Sequence, residues 1–128
     1  MTATERAVEL ARAAAEAASD LLAEEIIALD VSDQLVITDV FLLAAAPNDR
    51  QVRAIVEAIE ERLLKSGVKP VRREGEREGR WVLLDFGDLV VHVQHAEERE
   101  YYALERLWRD CPLVDLPEQV HAGAGRPE

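Results

Sequence analysis

Apolar residues recur along this chain with two different periods, and the switches between them divide it into helices and strands. The clearest helical repeat runs through Val52, Ile55, Val56, Ile59 and Leu63, which fall at i, i+3, i+4, i+7 and i+11 and wind onto one stripe. Arg53, Glu57, Glu60 and Glu61 are left outward. Asn48 or Asp49, just after Pro47, is placed to cap that helix, and Gly67 to stop it. A second helix is expected over residues 3–24, where Val8, Ala11, Ala15, Ala18 and Leu22 trace a shallow stripe and Thr2 and Glu5 have the spacing of a capping box. So small a stripe permits close approach but buries little area, so this helix is expected to be loosely held.

The period-two segments predict five strands. Residues 25–31 form the first, 32–34 a turn, and 35–44 a longer second strand, whose three-residue connection implies antiparallel pairing. Asp39 stands out there as an acid among Val36, Ile37, Val40, Phe41 and Leu42, placed either on a polar strand face or at a bulge or site. Residues 68–71 make a short third strand before a charged loop, 72–80, whose glycines lack the lysine and serine of a phosphate-binding turn. Trp81, Leu83 and Asp85 project to one side of an extended run and Val82 and Leu84 to the other, which predicts an inner strand buried on both faces. Asp85-Phe86-Gly87-Asp88 then reverses the chain into Leu89 to Val93, completing a hairpin with His92 on its second strand. A last helix is expected over 97–109, acidic at its start and basic at its end, with Tyr101, Leu104, Leu107 and Trp108 at helical spacing. Tyr102 widens that stripe beyond what a core needs, so part of it is expected to stay exposed.

These elements make a single α/β domain over residues 1–110, with helices packed on a five-stranded mixed sheet. Residues 111–128 form a tail in which Leu113, Val114, Leu116 and Val120 are able to dock, and 121–128 are expected to be disordered.

Charge narrows the choice of partner. The 128 residues carry a net charge of −11, which disfavours phosphate backbones, because nucleic-acid binding rests on lysine and arginine displacing counterions. A partner is therefore expected to be basic. No uncharged apolar run approaches the ~18 residues of a membrane helix, and the amino terminus has no signal-peptide pattern, being interrupted by Glu5, Glu9 and Arg12. Cys111 has no second cysteine to pair with, so a reducing, cytoplasmic setting is expected.

Asp85, Asp88 and His92 are the cluster that acid-base or metal chemistry would use, since two carboxylates and an imidazole bind a divalent cation or move a proton. Aspartates flanking Phe-Gly are first of all turn formers, however. No nucleophile elbow, zinc-protease helix or nucleotide loop accompanies them, and no cofactor is expected.

Several short motifs, in order, resemble the ribosomal silencing factor family, RsfS, also called Iojap. They are Ala28-Leu29-Asp30-Val31, Ile37-Thr38-Asp39, Arg50-Gln51-Val52, Glu74-Gly75, Trp81 with Leu84-Asp85-Phe86-Gly87-Asp88, Val91-His92-Val93, and Arg99, Tyr102, Leu104-Glu105 and Leu107-Trp108. The resemblance implies a nucleotidyltransferase-like fold, commonly homodimeric, in a non-enzymatic factor. Such a factor binds the large ribosomal subunit through ribosomal protein L-fourteen and blocks joining of the small subunit when nutrients are scarce. It carries partner-binding roles onto Trp81, Asp85, Asp88, His92, Tyr102 and Glu105. The chain lacks the Gly-Ser and paired D-x-D carboxylates of active nucleotidyltransferases, so the fold brings no expectation of transfer chemistry. It departs from the family pattern at Ala44-Ala45-Ala46 and at Asn48-Asp49. The alternative from a different class is a metal- or nucleotide-dependent enzyme using Asp85, Asp88 and His92.

Overall fold

The computed structural model describes residues 3–118 and 120. Its elements are α1 (Glu5–Asp20), β1 (Glu24–Asp30), β2 (Val40–Ala46), α2 (Asp49–Leu64), β3 (Arg72–Glu74), β4 (Trp81–Asp85), β5 (Leu89–His95), α3 (Ala96–Tyr102) and α4 (Leu104–Leu107). The strands lie side by side as β1-β2-β5-β4-β3. Only β2 and β5 run parallel, and the other neighbours are antiparallel, so the sheet is mixed, as the sequence implied.

One face of the sheet carries Ile26 and Ala28, Val40, Leu42 and Ala44, Leu89, Val91 and Val93, and Val82 and Leu84, packed with the buried stripes of α1 and α2. The α2 stripe is the expected one, with Val52, Ile55, Ile59 and Leu63 fully buried and Val56 nearly so. Asn48 is its cap, the side-chain oxygen accepting from the Gln51 amide at 2.8 Å. Asn48→Ala is expected to cost about 1 kcal/mol of stability, read as a lower urea midpoint at unchanged slope.

α1 corrects the expectation of a loose helix. Ala7, Ala11, Ala14, Ala15 and Ala18 have no exposed surface, because methyl-sized side chains let the helix backbone settle onto the sheet and α2. Its flank is tied down by Arg62, which meets Glu16 at 3.3 Å and Asp20 at 2.9 Å, and by the Gln51 side chain donating to the Leu21 carbonyl. The cap is Thr4, whose hydroxyl accepts from the Ala7 amide; Thr2 lies outside the described residues.

Three further boundaries differ from expectation. The second strand starts at Val40 rather than at residue 35, because the strand beside it, β5, begins at Leu89 and no neighbour extends beyond that level. Asp39 is consequently a loop residue, its carboxylate accepting from the Thr4 amide at 2.9 Å. The third strand is Arg72–Glu74, not 68–71. It is a short charged edge, which resists pairing with another sheet, while Val68 turns inward to the core. The last helix is broken: Ala103 takes φ 47°, so α3 ends at Tyr102 and α4 starts on a new axis. That break brings Leu104 and Trp108 onto Leu29, Val31, Leu43 and Cys111, a second core on the opposite face of the sheet.

Beyond α4 the chain lies along β1. The Asp30 amide donates to the Pro112 carbonyl at 2.8 Å and the Val114 amide to Ala28 at 2.9 Å, covering that edge of the sheet. Val114 and Leu116 pack on the core and Val120 is fully buried, whereas Leu113 stays exposed. The expected disorder of 121–128 falls outside the described residues.

Candidate functional site

The β4–β5 hairpin is built as the sequence suggested, but its two faces differ. Val82 and Leu84 enter the main core, while Trp81, Leu83 and Asp85 on the other face are half-buried. Strand register places Trp81 opposite Gln94, Leu83 opposite His92, and Asp85 opposite Val90. β2 adds Phe41, Leu43 and Ala45 beside Val90, His92 and Gln94.

His92 is the hub of this second face. It is only 7% exposed, and its Nδ1 accepts from the Trp81 indole N–H at 3.1 Å. Phe41 meets the imidazole edge-on at 5.2 Å between centroids, and Trp108 meets Phe41 in the same way at 5.4 Å. Burial pushes the His92 pKa down to about 4, so the ring is neutral at pH 7 with its proton on Nε2. That N–H and both polar atoms of the fully buried Gln94 amide find no hydrogen-bond partner among the described residues. The line Trp81, His92, Phe41, Trp108 crosses three strands and holds the Trp81 indole in one orientation at the margin of the sheet.

The carboxylates are elsewhere. Asp85 accepts from the Gly87 amide at 2.8 Å and lies 3.7 Å from Arg72, so it shapes the turn. Asp88 is exposed, and its backbone carbonyl receives the amides of Asp39 and Val40 at 3.1 and 3.2 Å. β4 runs from Trp81 to Asp85, so the tryptophan and the acidic turn lie at opposite ends of the hairpin, about 13 Å apart at strand spacing. His92 sits opposite Leu83, two residues along β4 from Asp85. The Asp85 carboxylate is turned to the Gly87 amide, Asp88 is exposed, and the one His92 lone pair is already engaged by Trp81, so the three do not form one group. No group of three or more His, Cys, Asp or Glu able to hold a metal occurs among the described residues. The enzyme alternative thus loses the cluster on which it depended.

At the tryptophan end, Arg80 reaches Glu98 at 2.8 Å and Glu97 at 3.0 Å, and the His95 ring caps α3 by accepting from the Glu97 amide. The backbones of Tyr102 and Glu105 lie in α3 and α4, and their side chains fall outside the described residues. Cys111 is buried in the second core, where desolvation raises its thiol pKa, so it remains a thiol at neutral pH rather than a nucleophile. Phe41 is the site residue that sequence reasoning missed. Its signal, an aromatic on the face opposite the main core, is legible only once strand register is known.

A sequence profile described as "Ribosomal silencing factor during starvation" matches residues 4–128. The ribosomal silencing factor RsfS of Bacillus subtilis is 47% identical over 103 residues, covering 80% of this chain and 87% of that protein. A crystal structure of a protein from Chromobacterium violaceum superposes with a TM-score of 0.76 at 38% identity, covering 79% of this chain and 84% of that one. Another from Bacillus halodurans gives 0.74 at 40% identity, covering 84% and 98%. Identity at this level across most of both partners, over the same sheet and hairpin, settles the relationship: the chain belongs to the RsfS family of ribosomal silencing factors.

Proposed function

We propose that this chain is a non-enzymatic, cytoplasmic translation repressor that binds the large ribosomal subunit through ribosomal protein L-fourteen and excludes the small subunit from the same face under nutrient limitation. The family match over residues 4–128 carries this reading. The charge and the hairpin support it. A net −11 suits a basic protein partner and opposes bare RNA, and Trp81 is half-exposed on a rigid support, which limits the entropy lost on docking. Trp81, Asp85, Asp88, Tyr102 and Glu105 would contribute to the contact, and His92 acts beneath it as a positioning residue for Trp81. No cofactor is required, because the action is occupancy of a surface. A homodimer is compatible if its interface leaves that surface open.

The direct test is sedimentation of the purified protein with separated ribosomal subunits, followed by light scattering as the subunits are mixed. The protein is expected to travel with large subunits and to lower the amplitude of association. Asp88→Lys is expected to weaken binding about tenfold with no loss of stability, since the side chain is exposed and its carbonyl, not its carboxylate, holds the loop. Unchanged association at saturating protein rejects the proposal.

A further inference from the structure

We infer that Val36 and Ile37, on the loop between β1 and β2, form the apolar centre of a docking surface for a protein partner whose aliphatic pocket is rimmed by lysine or arginine, with Val71 a second exposed aliphatic at the same end of the sheet. This rests on the ribosomal reading and locates a contact within it. Strand directions gather the parts at one end of the sheet, because the end of β1, the starts of β2, β5 and β3, and the end of β4 all lie there. Val36, Ile37 and Val71 are 103%, 83% and 75% exposed, against a chain whose other aliphatics mostly enter a core. Adjacent branched side chains turned wholly outward cost solubility and contribute nothing to folding, which marks them as a contact surface.

The loop is also held in place. The amides of Gln34 and Leu35 donate to the Val31 carbonyl at 2.9 and 2.8 Å, that of Val31 to Asp39 at 2.9 Å, and that of Asp39 to Asp88 at 3.1 Å. Val71 is held at the same end of the sheet, at the far edge beyond β4, through its amide to the Asp85 carbonyl at 2.7 Å. A prong anchored at both ends docks with little loss of conformational freedom. Charge selects the occupant. Asp39 and Asp88 border the prong and Asp85 lies farther along the same end of the sheet, where Arg72 is shared between Glu74 at 3.2 Å and Asp85 at 3.7 Å, while Lys69 is exposed nearby in sequence. A second copy would bring the same acids face to face, and an anionic lipid surface would be repelled, whereas a basic rim is complementary.

The test uses the full chain with large ribosomal subunits in sedimentation binding. The double variant Val36→Ser, Ile37→Ser is expected to bind at least tenfold more weakly than wild type while keeping its thermal midpoint, because neither side chain is buried. Leu22→Ser, an exposed leucine before β1 and so at the opposite end of the sheet, is expected to bind as wild type does. If wild type binds and the double variant binds equally well, the inference falls and the ribosomal reading stands. If wild type does not bind, both fall. Loss of self-association by the double variant, with subunit binding intact, assigns the prong to a second copy and likewise overturns the inference.

Discussion

Gly75→Ala is expected to destabilise the domain by about 3 kcal/mol or more, the range of steric and backbone-strain mutations, and to displace Trp81. The glycine adopts φ +82°, and a Cβ built there would lie 2.0 Å from the Trp81 carbonyl oxygen and 3.1 Å from its carbon. Both obstructing atoms are backbone, so no side chain can swing aside; either residue 75 or the start of β4 must move. Moving β4 strains the register that sets Trp81 opposite Gln94 and its indole against His92. Gly67 supplies the comparison, with a similar φ of +78° but nothing within 4 Å of an added Cβ, so Gly67→Ala should cost only about 1 kcal/mol. Urea denaturation of both variants, with tryptophan emission recorded in the folded state, measures the difference. Equal losses in the two variants would show that the close approach at Gly75 does not constrain the hairpin.

Stability is expected to fall by up to about 3 kcal/mol between neutral pH and pH 4 because of His92 alone. In the folded chain burial holds its pKa at about 4, below the ordinary 6.5. The unfolded chain therefore binds the proton first as pH falls. The neutral, buried ring stabilises fully above pH 6.5, and that stabilisation is lost progressively down to about pH 4, with a slope approaching ~1.4 kcal/mol per pH unit. Urea midpoints measured from pH 7.5 to 4.5 for wild type and His92→Gln isolate the effect, because other titrating groups are common to both. The glutamine retains an acceptor for the Trp81 N–H and does not titrate. Parallel curves for the two proteins would refute a neutral, buried His92. Protonation of the folded ring would also remove the acceptor that orients Trp81, but only as pH approaches about 4, so subunit binding by the folded protein should hold through most of this interval and weaken at its acid end.

Where the sequence alone succeeded, it read local chemistry. The stripe of α2 was legible because Val52 to Leu63 repeat at the helical period between a capping asparagine and a stop glycine. The hairpin was legible because Gly87, with φ +93°, and the Asp85 carboxylate supply what a reversal needs. Motif order also pointed to the RsfS family, and the profile match confirms that membership. Where it failed, long-range partners decided. Residues 35–39 have strand propensity but no strand beside them, so Val36 and Ile37 became an exposed prong. The segment 97–109 has helical spacing and no glycine, yet Ala103 accepts left-handed strain so that Leu104 and Trp108 reach the second core. Asp85, Asp88 and His92 are close in sequence, but Asp85 is bonded into the turn and Asp88 faces solvent, whereas the imidazole is buried against Trp81 and Phe41. Local periodicity and turn chemistry thus determined which segments are helix, strand and reversal, since those depend on neighbours a few residues away. Strand limits, the helix break and the surroundings of His92 were settled by tertiary structure, since they depend on which distant segment is present to complete a hydrogen bond or bury a side chain.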